Sequence, residues 1–129
     1  MSGHIIKTIG GKDWNFRLTT WGMVALERNL QQNPMDIITN MRTGKLPMVT
    51  HVCEILFHSL KSSHPTLSRE KMYKLYDQML AEGWDLLKTT DLIIDIFKDG
   101  GLIPEDEEGE DTETDAYDAY DEYGEVKNA

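Results

Sequence analysis

The chain has 129 residues, a single cysteine and a formal net charge of −10. Residues 105–129 hold 12 of the 23 acids and one of the 13 Lys or Arg, a net −11, which leaves residues 1–104 at +1. One cysteine excludes an internal disulfide, the apolar runs are far short of the ~20 residues of a membrane span, and a neutral domain without a basic stripe argues against nucleic acid as a ligand.

The start, Met1-Ser2-Gly3-His4, carries neither a basic nor an apolar segment, so no secretion signal is expected. Cys53 sits in an apolar run, which suits a reducing compartment. A soluble, cytoplasmic protein with no membrane association is the expectation. About 100 residues precede the acidic segment, the size of one small domain.

His4 to Ile9 is short and β-branched, and Gly10-Gly11-Lys12-Asp13 is a turn signal. Trp14 to Leu18 then alternates, placing Trp14, Phe16 and Leu18 on one face. The pair predicts a β-hairpin that must pack on something helical, because a lone hairpin is marginal in water.

Thr20 to Ile103 reads as helix throughout. Thr19 or Thr20 caps the first helix, with Trp21, Met23, Ala25, Leu26 and Leu30 as its apolar stripe. Asn33-Pro34 opens the second, with Ile37, Ile38 and Met41 inward and Gly44 at its end. The third runs from near Pro47 to about Ser62. Val49, Val52, Cys53, Ile55, Leu56, Phe57 and Leu60 cover more than one of its faces, so it should be the most buried. His64-Pro65 breaks the chain. Ser68 caps the fourth, and Leu67 with Met72 can form a hydrophobic staple. Met72, Leu75, Tyr76, Met79 and Leu80 give the fourth its stripe, and Gly83 stops it. Leu86, Leu87, Ile93, Ile94, Ile96 and Phe97 make a fifth helix ended by Gly100-Gly101. The fold class is therefore mainly α: an N-terminal β-hairpin and about five helices over residues 1–103, then an acidic segment over 104–129.

That last segment lacks Leu, Ile, Phe and Met from Glu105 onward. Like-charge repulsion and missing apolar side chains leave nothing to offset the entropy of ordering it, so disorder is the expectation. Asp111, Glu113, Asp115 and Glu122 fall on four ligand positions of a calcium loop, but Ala116 stands where the template needs glycine. The sequence from Asp115 repeats every three residues, with Tyr117, Tyr120 and Tyr123 each behind acids. A solvated spacer is the simpler reading. A docking segment, in which acids steer and tyrosines anchor, is the sharper one.

Chemistry-bearing motifs are few. His51 and Cys53 are two apart on a helix and point about 200° apart, and His51 and His58 share a face with no third ligand in register. Asp91 and Asp95 share a helix face, as solvated acids commonly do. Neither a glycine-flanked serine nor a phosphate loop occurs. No catalytic residue, metal or cofactor is expected. The methionines fall at helical core spacing, yet Met can also serve an adaptable binding surface. Met72, Tyr73, Tyr76 and Met79 of the fourth helix, with Tyr117, Tyr120 and Tyr123, are the candidate partner-binding residues.

The layout goes further than these residues do. A hairpin about Gly10-Gly11 leads into Phe16-Arg17-Leu18-Thr19-Thr20. A helix with Ala25-Leu26-Glu27 follows, then helices from about Leu46 to Leu60 and over LSREKMYKLYDQML. This order resembles the small tail assembly chaperones of long-tailed phages and related gene transfer agents, over roughly residues 5–102. The family has no motif whose functional residues carry over. The resemblance implies a non-enzymatic protein that holds the tape measure protein soluble, helps recruit tail tube subunits and is absent from the finished virion. It leaves self-association open. Such chaperones are often made in two lengths by a programmed −1 ribosomal frameshift. Val126-Lys127-Asn128 can be encoded GUA-AAA-AAC, which contains the slippery A-AAA-AAC. The rival reading is a small regulatory or anti-host protein whose acidic segment mimics nucleic acid charge.

Overall fold

The computed structural model describes residues 5–104; residues 1–4 and the acidic segment from 105 lie outside the described residues. Its order is β1 (Ile5–Ile9), β2 (Lys12–Phe16), α1 (Thr20–Leu30), α2 (Pro34–Arg42), α3 (Val49–Leu60), α4 (Arg69–Ala81) and α5 (Leu86–Asp99). An N-terminal antiparallel hairpin followed by five helices is the architecture the sequence predicts.

Ile5 pairs with Phe16 and Ile9 with Lys12, so only Gly10 and Gly11 form the turn. Both glycines have positive φ, +63° and +76°, as a two-residue hairpin turn requires. Lys12 and Asp13 therefore belong to the strand rather than to the turn, and the strand ends at Phe16, before Leu18. Ile9, Phe16 and Leu18 are buried and Trp14 half-buried, so the hairpin does pack one face inward. Its tip is fastened to the end of α4. Glu82 accepts from the Gly10 amide at 2.8 Å and from Gln78 Nε2 at 2.5 Å.

The caps follow their chemistry. Thr19, Asn33 and Ser68 each accept a backbone N–H of the helix they open, and Asp85 does so for α5. Helix α3 has no side-chain cap: it begins at Val49, two residues later than Pro47 suggests, behind Met48.

Helix α3 is the centre. It packs against α1, α4, α5 and β2, and Val52, Ile55, Leu56 and Leu60 are fully enclosed. At ~1.5–3 kcal/mol for each such side chain, this one helix supplies a large part of the burial. The main chain joins it to the hairpin, where Arg17 N–H donates to Ser59 O at 2.7 Å.

Four apolar residues do not face inward as their stripes suggest. Trp21 is 86% exposed. At 100° per residue it stands about 140° around α1 from the buried Leu26, on the outer side with Val24. The inward stripe is built instead on Gly22 and Leu26, flanked by Met23 and Leu30. Glycine suits that position, because a Cβ would come 3.1 Å from the His58 carbonyl oxygen. Leu80 sits about 80° round α4 from Met72, at the rim of the buried stripe, and is half exposed. Leu87 and Val49, in the first turns of α5 and α3, are exposed as well.

Candidate functional site

Of the candidate residues on α4, Met72, Tyr76 and Met79 are in the core and only Tyr73 reaches solvent. The stripe is therefore a packing stripe. A partner touching the folded domain would meet Tyr73 and, one face-repeat on, Leu80. Burial raises the Tyr76 hydroxyl pKa, as expected for a ring closed off from water. Tyr117, Tyr120 and Tyr123 lie outside the described residues.

The exposed large apolar side chains fall in separate places. Trp21 and Val24 share the outer face of α1, with Arg28 one turn on. Leu46, Met48 and Val49 stand together in and beside the connection from α2 to α3. Sequence reasoning missed both groups. Scattered exposed apolar residues are ordinary, but an indole left in water is uncommon, and tryptophan is a frequent interface anchor.

The polar chemistry converges at one place, where α1, α3 and α4 meet. Arg69, the first residue of α4, grips Glu54 of α3 with both ends of its guanidinium: Nε to Oε2 is 2.8 Å and Nη2 to Oε1 is 3.0 Å. The guanidinium also lies over the Phe57 ring, 4.8 Å from its centre. One turn along α3, His58 Nε2 stands 2.9 Å from Asn29 Nδ2 of α1 and 3.4 Å from Glu54 Oε1. The neutral ring accepts from the asparagine amide; a protonated ring would instead donate to the carboxylate.

Arg69's hydrogen bonds hold the Glu54 carboxyl below its ordinary pKa, against the opposing effect of burial. The same pairing raises Arg69. Burial lowers His58, and outweighs the pull of Glu54 toward the charged ring. A carboxylate already matched by a guanidinium is a poor base. The cluster acts as a clamp between three helices. Its sequence signal is the Glu54/His58 spacing of four.

Cys53 is buried and its thiol pKa is pushed up to about 11, chiefly by burial, which disfavours the nucleophilic thiolate. His64 caps the hairpin edge, where its Nε2 accepts from Asn15 N–H at 3.2 Å and its ring lies against Trp14. Asp91 and Asp95 are exposed on α5. Among the described residues no group of three or more His, Cys, Asp or Glu could hold a metal ion, and no helix is long and apolar enough to cross a membrane.

No family model matches the chain, and no curated protein or solved structure matches it either.

Proposed function

We propose that this protein is a non-enzymatic tail assembly chaperone of a long-tailed phage, binding the tape measure protein and helping to recruit tail tube subunits. The hairpin and five helices stand in the order on which the resemblance rests. The observation that carries a binding role is the outer face of α1, where the Trp21 indole is exposed beside Val24. An apolar face of that kind suits a helical partner, whose own apolar stripe would otherwise self-associate.

The test is co-expression with a tape measure protein, whose very long gene should on this reading lie just downstream of this one. Soluble yield of that long protein should rise, and the two should co-purify with tube subunits. Trp21→Ser should lower the yield while leaving this chain folded. If neither protein binds, the chaperone reading is wrong. A basic partner captured through residues 105–129 instead would favour the regulator reading, which rests on that segment's net −11.

A further inference from the structure

The connection from α2 to α3 combines two properties. Leu46, Met48 and Val49 are 52%, 61% and 52% exposed, in three of four successive positions. Around them the chain is free of acids: between Asp36 and Glu54 it carries Arg42, Lys45 and His51 but no Asp or Glu. Elsewhere the described surface mixes charges, as along α4 with Arg69, Glu70, Lys71, Lys74 and Asp77. An apolar shelf with Lys45 beside it and no acid in its own stretch of chain fits an acidic segment that carries large flat side chains.

The chain itself contains such a segment. Residues 115–123 present Tyr117, Tyr120 and Tyr123 at intervals of three, among Asp115, Asp118, Asp121 and Glu122, without a single cation. We propose that the shelf formed by Lys45, Leu46, Met48 and Val49 is a docking site for the chain's own acidic tyrosine repeat, residues 115–123. The rings would cover the three apolar side chains, with the Met48 thioether suited to a ring edge, while the acids face Lys45.

The geometry allows the contact within one molecule. The described chain leaves the domain where α3 finishes: Gly100 is backed against Leu18, where a Cβ would meet Leu18 O at 3.1 Å, and Arg17 is bonded to Ser59 O. The shelf is at the other end, where α3 starts. Twelve residues of helix separate the two ends by about 18 Å. From Pro104 to Tyr117 is 13 residues, whose extended reach of about 45 Å exceeds the distance to the shelf. A tether long enough to reach the shelf makes the contact intramolecular, so weak individual contacts suffice. An external partner for the shelf would have to displace the repeat. The contact does not depend on the function proposed above.

The test uses the full chain with methyl-13C methionine and a nitroxide on Ala119→Cys. Cys53 is a free buried thiol, so the label is placed in a Cys53→Ala background whose fold is checked first. The Met48 signal is identified by its loss in Met48→Leu. In dilute protein at low salt, Met48 should be broadened more than every other methionine, by about twofold or more relative to buried Met72, as a tethered contact demands. Lys45→Glu, or salt of about 0.5 M, which shortens screening to a few ångströms, should restore it. Equal broadening of Met48 and Met72 would overturn the proposal. So would broadening seen only when a labelled chain is mixed with a separate 13C chain, which would assign the shelf to a second copy.

Discussion

Helix α3 buries eight of its 12 residues, whereas α1, at 11 residues and in direct contact with it, buries two. The two helices do not differ in apolar content as sharply as that. Trp21, Met23, Val24, Ala25, Leu26 and Leu30 would furnish a core stripe by number alone. The difference is angular. Apolar residues surround α3, so neighbours on four sides find something to cover. On α1 they are split between an inner side built on Gly22 and Leu26 and an outer side holding Trp21 and Val24. Apolar count therefore predicts that a helix is in contact; only the angles say what is left over for a partner.

The most direct way to break the comparison is to cut into α3. Leu56 is fully enclosed, and Leu56→Ala should cost about 2–5 kcal/mol, a large share of the stability of a domain this size. Urea unfolding measures it. A cost below about 1 kcal/mol would mean that α3 is not the centre of the fold.

The extent to which the sequence revealed these facts divides along the same line. All five helices and the hairpin follow from local signals: turn glycines, caps at Thr19, Asn33 and Ser68, and the dense apolar positions Val52, Cys53, Ile55, Leu56, Phe57 and Leu60. Those signals act over a few residues, so they survive without knowledge of the neighbours. The outward turn of Trp21 was less legible, because an aromatic near a cap reads as core unless its angle to Leu26 is measured. The burial of Met72, Tyr76 and Met79 fits their core spacing, and it removes three of the candidate partner-binding residues from the surface. The Glu54–Arg69 pair was invisible, since its partners are 15 residues apart and meet only once α3 and α4 have packed.

The seam between the two helices offers a smaller test. The Gly22 Cβ position faces a backbone carbonyl, which cannot swing aside as a side chain would. Gly22→Ala should push α1 off α3 at about 1–3 kcal/mol, despite the better helix propensity of alanine. Its midpoint in urea, compared with wild type, reads the sign directly. A stabilised variant would mean that the helices are looser than the 3.1 Å approach implies.

Acidification probes the clamp, which joins α3 to α1 through His58 and to α4 through Glu54. His58 has its pKa lowered from 6.5 by burial, so its neutral form is the one the fold favours. That contribution is complete above the unfolded value and is lost as pH falls from about 6.5 through the folded one. Glu54, lowered from 4.5 chiefly by Arg69, contributes above about 4.5 and is lost as pH falls below that value. Stability should thus decline toward acid in two stages. Glu54→Gln should remove the lower stage and cost about 1–2 kcal/mol at neutral pH, limited because Arg69 is half in water. A pH profile of Glu54→Gln parallel to that of wild type would show that the clamp carries no charge-dependent stability.

The smallest effect on stability belongs to the outer side of α1, and it sharpens the contrast most. Trp21 is the first apolar residue of its helix and stays in water almost entirely. Removing it exposes no new cavity and leaves no polar group unpaired, so Trp21→Ser should shift stability by no more than about 0.5 kcal/mol. The same change deletes the largest apolar anchor that α1 offers a partner, and anchors of this type commonly cost about 2 kcal/mol or more in binding when truncated. A residue that matters to binding and not to folding separates the two effects: unfolding midpoints stay together while, on the function proposed above, affinity for a tape measure protein drops about 30-fold or more. If instead Trp21→Ser destabilises the domain as Leu56→Ala does, the indole is a covered part of the fold, and the outer face of α1 is not the surface this protein presents.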